Sequence, residues 1–307
     1  MLLAAFAQVL IAALGLAGLP RPEPADAVDA MTPHEKAAFV VVSGLPAPEG
    51  VGGVLVQRWS KSMARPRDTL VFVDQEGGGV RAFPTLPPAG AASSYRTRSQ
   101  AFAAGRATGR ALRREGVDVD LAPVLDLAGG PLGSRHFRAP ALGLAFARGL
   151  AAGGALGCAK HFPGLGTAKH STDTTVFVPA RLVPRELRGF RRAVDQGIPC
   201  VMTSHAVYRA YGMRRAITAP RAYRTLRLWG FEGVAVTDSL SIFRSGPWPV
   251  RWAKQALRAG ADMVLYTSAA QARRAIEALV PLAERGELDE HVRRILALRS
   301  AAGLSAP

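Results

Sequence analysis

The stretch Ala159-Lys160-His161-Phe162-Pro163-Gly164-Leu165-Gly166 decides how the rest of the chain reads. It follows the small, apolar run Ala155-Leu156-Gly157-Cys158-Ala159, which predicts a short buried strand. The proline and glycines then predict a loop at once. A lysine and a histidine side by side at that junction are poor core material. They suit the mouth of a barrel, where strand ends grip hydroxyls or anions. The plainer alternative is a loop with solvated charges.

The same pattern recurs on both sides. Val51–Val56 is the first strand candidate, and Thr69–Val73 is a stronger one that runs into Asp74-Gln75-Glu76-Gly77-Gly78-Gly79. Two carboxylates beside a glycine run at a strand end are site-like, although a plain turn would also favour acids and glycines. Ala101–Arg114 reads as a helix and Val117–Pro123 as a strand, with Asp126 in the loop after it. Arg135 stands alone in the loop Gly133–Phe137. Pro184–Gln196 is helical, and Cys200–Thr203 is a strand ending at Ser204-His205. Arg221–Trp229 is helical, and Gly233–Thr237 is a strand ending at Asp238-Ser239. Trp252–Ala259 and Met263–Tyr266 give one more helix and strand.

Near-continuous apolar strands alternating with helices predict a parallel sheet. Chemistry-bearing residues fall just after strand after strand, the arrangement of a (β/α)8 TIM-type barrel in one α/β domain. A doubly wound open sheet is the alternative, but Gly77–Gly79 does not supply its G-x-G-x-x-G phosphate loop.

The chain has 307 residues, 49% of them hydrophobic, which suffices for a large core. Its formal net charge is +16, with 39 Lys and Arg spread along the chain. Such a field favours polyanions, with nucleic acid, an anionic cell-wall polymer and a membrane surface as the candidate partners. No helix-turn-helix, zinc-finger or aromatic-basic RNA motif accompanies it, so nucleic acid is not expected. The two cysteines, Cys158 and Cys200, lie in apolar strand-like runs and read as buried free thiols. No metal-ligand cluster is visible.

Leu2–Leu19 is nearly unbroken apolar sequence, and Pro20-Arg21-Pro22-Glu23-Pro24 ends any helix there. Residues 1–30 therefore read as a secretory signal or membrane anchor with its linker, and the protein as exported or anchored. Small-residue cleavage options lie at Ala25–Ala30. Residues 31–307 read as the barrel. Thr32-Pro33-His34-Glu35 fits its first helix start, with Thr32 as N-cap.

Taken in order, Asp74-Gln75-Glu76-Gly77-Gly78, Lys160-His161-Phe162-Pro163-Gly164, Met202-Thr203-Ser204-His205, Val236–Ser241, Gly260-Ala261-Asp262-Met263 and Val292–Leu296 carry a resemblance. Over about Met31 to Leu304 the chain resembles the N-terminal barrel of glycoside hydrolase family 3. The form it resembles is the single-domain one, the bacterial β-N-acetylhexosaminidases. The resemblance implies a retaining glycosidase that acts on a carbohydrate and needs no cofactor. It implies that Asp238 is the catalytic nucleophile. It implies sugar-binding positions at Asp74, Arg135, Lys160 and His161, and a place near the site for His205. The bare alternative for Asp238 is a helix N-cap.

One departure stands out. After Lys-His-Phe-Pro-Gly the family carries an Asp-Ser-His triplet whose histidine is the acid/base. Here the loop reads Thr167-Ala168-Lys169-His170-Ser171-Thr172-Asp173-Thr174-Thr175. His170 and Asp173 are both candidates for proton transfer, and loss of that function is the third option. Where the family has arginines after Asp-Gln-Glu-Gly-Gly, this chain has Gly79 and Ala82 with Arg81 between them. Two readings stay open: an exported glycosidase, or a barrel that binds cell-wall glycan without turning it over.

Overall fold

A computed structural model describes residues 24–127, 130–243 and 247–305. The apolar run Leu2–Leu19 lies outside the described residues. No helix among them is long and apolar enough to cross a membrane.

Eight parallel strands form the centre: β1 (Val41–Gly44), β2 (Gly53–Val56), β3 (Leu70–Val73), β4 (Val119–Asp120), β5 (Leu156–Phe162), β6 (Cys200–Thr203), β7 (Val234–Thr237) and β8 (Val264–Tyr266). They pair in sequence order from β1 to β7, and β8 pairs with β1. The bridge Val236–Met263 and the Thr237 N–H on the Met263 carbonyl join β7 to β8 and close the ring. This is the barrel that the sequence predicts. Its strands are buried almost throughout, which is why they read as short apolar runs rather than alternating ones.

Helices α1 (Pro24–Ala30) and α2 (Pro33–Phe39) precede β1, and α2 opens with the capping box that Thr32 and Glu35 predict. Between β3 and β8 one helix follows each strand: α3 (Arg98–Arg114), α4 (Pro140–Ala152), α5 (Pro184–Asp195), α6 (Pro220–Leu228) and α7 (Trp248–Ala259). After β8 come α8 (Ala269–Glu284) and α9 (Asp289–Ala301). No described helix separates β1 from β2 or β2 from β3. Helices α3 and α4 touch backbone to backbone. A side chain at Gly105 would strike the Phe146 carbonyl, and one at Gly149 the Phe102 carbonyl. Val28 of α1 is fully buried in the main core.

Three expectations change. The first strand is Val41–Gly44, so Val51–Val56 supplies the second; a four-residue run ending Ser-Gly carries too little pattern to read. Val117–Pro123 contributes only two strand residues. Cys158 and Cys200 are not free thiols but a disulfide. They face each other in the β5–β6 ladder with Cα atoms 4.3 Å apart, a juxtaposition that only the fold reveals across a separation of 42 residues.

Candidate active site

The strand ends converge, as they do on the functional face of this architecture. Strand β5 runs on through Lys160 and His161, so the pair belongs to the strand's last turn rather than to the loop. The peptide bonds Lys160–His161 and Phe162–Pro163 are cis. The ladder to β6 shifts register between Ala159 and Phe162, the kind of irregularity that re-aims side chains at a strand end.

Lys160 is 1% exposed, so its ammonium needs counter-charge. It finds two carboxylates, Asp74 at 2.5 Å and Glu76 at 2.6 Å. Glu76 in turn takes both arms of Arg135, at 2.8 Å each. Arg135 reaches outward to Asp173, 3.6 Å away at the exposed end of the chain of charges. Burial pushes Glu76 up, but Lys160 and Arg135 outweigh it and hold the carboxyl at about 2. Burial pushes Lys160 down, and Asp74 with Glu76 more than reverses that. The buried members therefore stay ionised. Asp74 keeps a half-exposed side chain, so of the two carboxylates that hold Lys160 it is the one with room to meet a hydroxyl.

His161 is set by Asp126. One carboxylate oxygen accepts the His161 backbone N–H at 3.1 Å and lies 2.8 Å from Nδ1; the other accepts the Leu165 N–H at 2.6 Å. Glu186, on α5, clamps the two loops beside it by accepting from Leu127 and Gly166. Its burial raises the carboxyl to about 7.

Asp238 directly follows β7 and is partly exposed. One oxygen accepts its neighbour Ser239's N–H at 2.7 Å, which is the cap-like bond that a Thr-Asp-Ser turn predicts. The other oxygen, Oδ2, is buried and has no hydrogen-bond partner among the described residues. Burial raises the carboxyl, but His205, His161, the Ser239 N–H and Lys160 together bring it below the usual aspartate range. His205 lies 2.8 Å from the Ser239 carbonyl through Nε2, and burial lowers its affinity for a proton against the pull of Asp238. A carboxylate kept anionic, with one oxygen anchored and one free, is equipped to attack an electrophilic carbon.

The predicted residues therefore divide. Asp74, Arg135, Lys160 and Asp173 form one chain of charges, while His161, His205 and Asp238 share a second locus tied to Lys160 electrostatically. His170 is exposed, and among the described residues no hydrogen bond or ion pair joins it to either group. Arg81 is occupied locally, donating to the carbonyls of Gly78 and Pro84.

Sequence reasoning marked Glu76 with Asp74 as site-like, but it assigned no part in the site to Asp120, Asp126 or Glu186. Asp120 ends β4, fully buried; its Oδ1 accepts from Gln75 N–H at 2.9 Å and its Oδ2 has no partner among the described residues. Burial raises it to about 8, with Asp74 and Glu76 adding to the rise and Gln75 N–H and Lys160 opposing it. The available signal was a pair of acids, Asp118 and Asp120, alternating with the apolar residues of Val117–Leu121. Among the described residues no group of His, Cys, Asp and Glu is arranged to hold a metal ion.

Comparison with known proteins fits this geometry. Residues 54–298 match the model of the glycosyl hydrolase family 3 N-terminal domain. A β-hexosaminidase of Thioalkalivibrio sulfidiphilus is 34% identical over 242 residues, 68% of each chain. An uncharacterised secreted glycosyl hydrolase of Arthroderma benhamiae is 32% identical over 267 residues, 75% of this chain and 74% of the relative. Among solved structures, LpqI of M. tuberculosis superposes with a TM-score of 0.79 at 26% identity, covering 91% of this chain and 97% of its own. A family 3 β-N-acetylglucosaminidase from Paenibacillus gives a TM-score of 0.78 at 25% identity; 89% of this chain is covered, but only 63% of that one.

Proposed function

The chain belongs to glycosyl hydrolase family 3 and is a glycosidase, and from that premise we propose that it hydrolyses β-linked N-acetylglucosaminides with retention through Asp238. The observation that carries this reading is Asp238 itself, one oxygen fixed by Ser239 and the other buried and free beside two histidines. In the first step Asp238 Oδ2 bonds to the anomeric carbon as the bond to the leaving oxygen breaks. That oxygen takes a proton from an acid. Water then attacks the same carbon, gives a proton to the conjugate base and frees Asp238.

Lys160, held between Asp74 and Glu76, and Arg135, held by Glu76, supply donors for sugar hydroxyls, and Asp74 supplies an acceptor. Asp173 is the proposed acid/base. Its contact with Arg135 ties it to the rim of the site, whereas His170 has no such tie. That exposed histidine favours the second reading, a barrel that binds glycan without efficient turnover. Turnover of aryl β-N-acetylglucosaminide and aryl β-glucoside by the purified protein tests the choice. Turnover of the first over the second supports the enzyme; turnover of neither, with glycan binding retained, supports the binding barrel.

The protein is proposed to act outside the cytoplasm. A disulfide between β5 and β6 supports this, because such bonds persist mainly in oxidising compartments. A relative described as secreted points the same way. With a charge of +16 the surface suits anionic wall polymer, and sedimentation with purified walls should weaken as salt rises.

A further inference from the structure

We propose that the flank of the barrel between α4 and α5 binds an anionic amphiphile, a short apolar chain capped by a phosphate or carboxylate. Two adjoining cavities carry this. The first, of about 260 Å³, has a floor of Leu156, Gly157, Ile198 and Pro199 and walls from Ala147 and Ala193. Its lining is almost wholly apolar. The second, of about 280 Å³, is lined by Arg98, Arg148, Arg192 and Gln196 with Ala141 and Leu144.

The two share Leu144, Arg148 and Gln196, so an apolar slot opens directly onto an arginine rim. Three guanidinium groups from three helices face one cavity. No carboxylate lines either cavity, and the only side-chain hydrogen bond of these arginines among the described residues runs from Arg148 to Gln196, at 3.3 Å. Like charges gathered without a counter-ion raise the local potential and favour an anion, and phosphate or carboxylate matches the guanidinium fork. An apolar slot beside that anion site selects a chain attached to it, because burying methylenes contributes far more than burying polar groups. The slot lies where β5 and β6 begin, whereas Lys160 and Asp238 lie toward and beyond the C-terminal ends of β5 and β7, and neither residue lines it.

Calorimetric titration of the full chain with decyl phosphate, below its micelle concentration, tests this. One molecule should bind per chain, and octyl phosphate should bind more weakly by about fourfold for each methylene withdrawn from the slot. The double variant R148E/R192E, made at exposed positions, should weaken decyl phosphate at least tenfold with aryl-glycoside turnover unchanged. Ala147→Phe should weaken it comparably by filling the slot; if that variant fails to fold by circular dichroism, the chain-length series takes its place. Absence of saturable binding, equal affinity in R148E/R192E, or inorganic phosphate binding as tightly as decyl phosphate overturns the proposal.

Discussion

Glu76 and Arg135 meet through two parallel hydrogen bonds of 2.8 Å, and the same Glu76 oxygen that takes one of them also takes Lys160 at 2.6 Å. The Glu76 side chain is 3% exposed, so these cations are fixed by a carboxylate that solvent cannot replace. Glu76→Gln keeps the shape and removes the charge. Breaking a buried ion pair from one side typically costs about 3–5 kcal/mol. The expected outcome is a lower melting temperature together with a loss in kcat/KM of about 10²-fold or more, since both cations lose their orientation. A variant with unchanged kcat/KM on the aryl N-acetylglucosaminide would place Lys160 and Arg135 outside substrate binding.

Asp238→Asn tests the nucleophile. The Ser239 N–H can still bond to the amide oxygen, so the fold should persist. Turnover should drop by about 10⁴-fold, roughly 5 kcal/mol of barrier. A fluorinated mechanism-based inhibitor should add its sugar mass to the wild type and nothing to the variant. Labelling of the variant at another residue would move the nucleophile elsewhere.

Asp120 gives a pH prediction. Folded, its carboxyl sits at about 8 because it is buried; unfolded, an aspartate titrates near 3.9. Between those values the folded state holds a proton that the unfolded state lacks. Stability from this group therefore falls as pH rises through that window and levels off above it. Asp120→Asn stays neutral and removes the dependence. Urea unfolding at pH 5 and pH 8 should show the variant gaining on the wild type as pH rises. A constant difference between the two proteins would remove Asp120 as a buried titrating group.

The disulfide closes a loop of 42 residues, and chain-entropy arguments give it about 4 kcal/mol. Replacing both cysteines by alanine should lower the melting temperature by roughly 7 °C. Both sulfurs are buried in the core, so reductant should act only slowly on the folded protein. Thermal melts of the double variant and of protein held in reductant would check both points. Equal melting temperatures would assign the bond no structural role.

These residues also mark how far the sequence could be read. Asp74, Lys160, His161 and Asp238 were legible because each follows an apolar run and strand ends gather at one face. Asp126 and Glu186 were not, since they act through Leu165, His161, Leu127 and Gly166, contacts made across 20 to 59 residues. The cysteine pair failed for a related reason. Apolar surroundings suggest a buried thiol equally well whether or not a second thiol sits opposite, and only the β5–β6 register decides it. Helix α4, with its run of alanines and glycines, gave little periodic signal and owes its place to backbone contact with α3.

The loop 167–175 separates the two readings of function. Asp173 is held near Arg135 by a contact of 3.6 Å and accepts from the Ser171 hydroxyl, whereas His170 is exposed and has neither tie among the described residues. An acid must protonate the leaving oxygen and then activate water, so it has to reach the site in both steps. Asp173→Ala and His170→Ala should be compared on two substrates, one with an activated phenolate leaving group and one with an ordinary sugar. The phenolate leaves with little protonation; the sugar cannot. Asp173→Ala is expected to slow the sugar substrate by about 10²-fold or more while affecting the phenolate far less, within the range of general acid catalysis. Azide should restore turnover of the activated substrate in that variant, because it attacks the glycosyl-enzyme without help from a base. His170→Ala should resemble the wild type on both. The reverse pattern would assign proton transfer to His170 and require the loop to close over the site. Wild-type behaviour of both variants would take the proton donor out of this loop altogether.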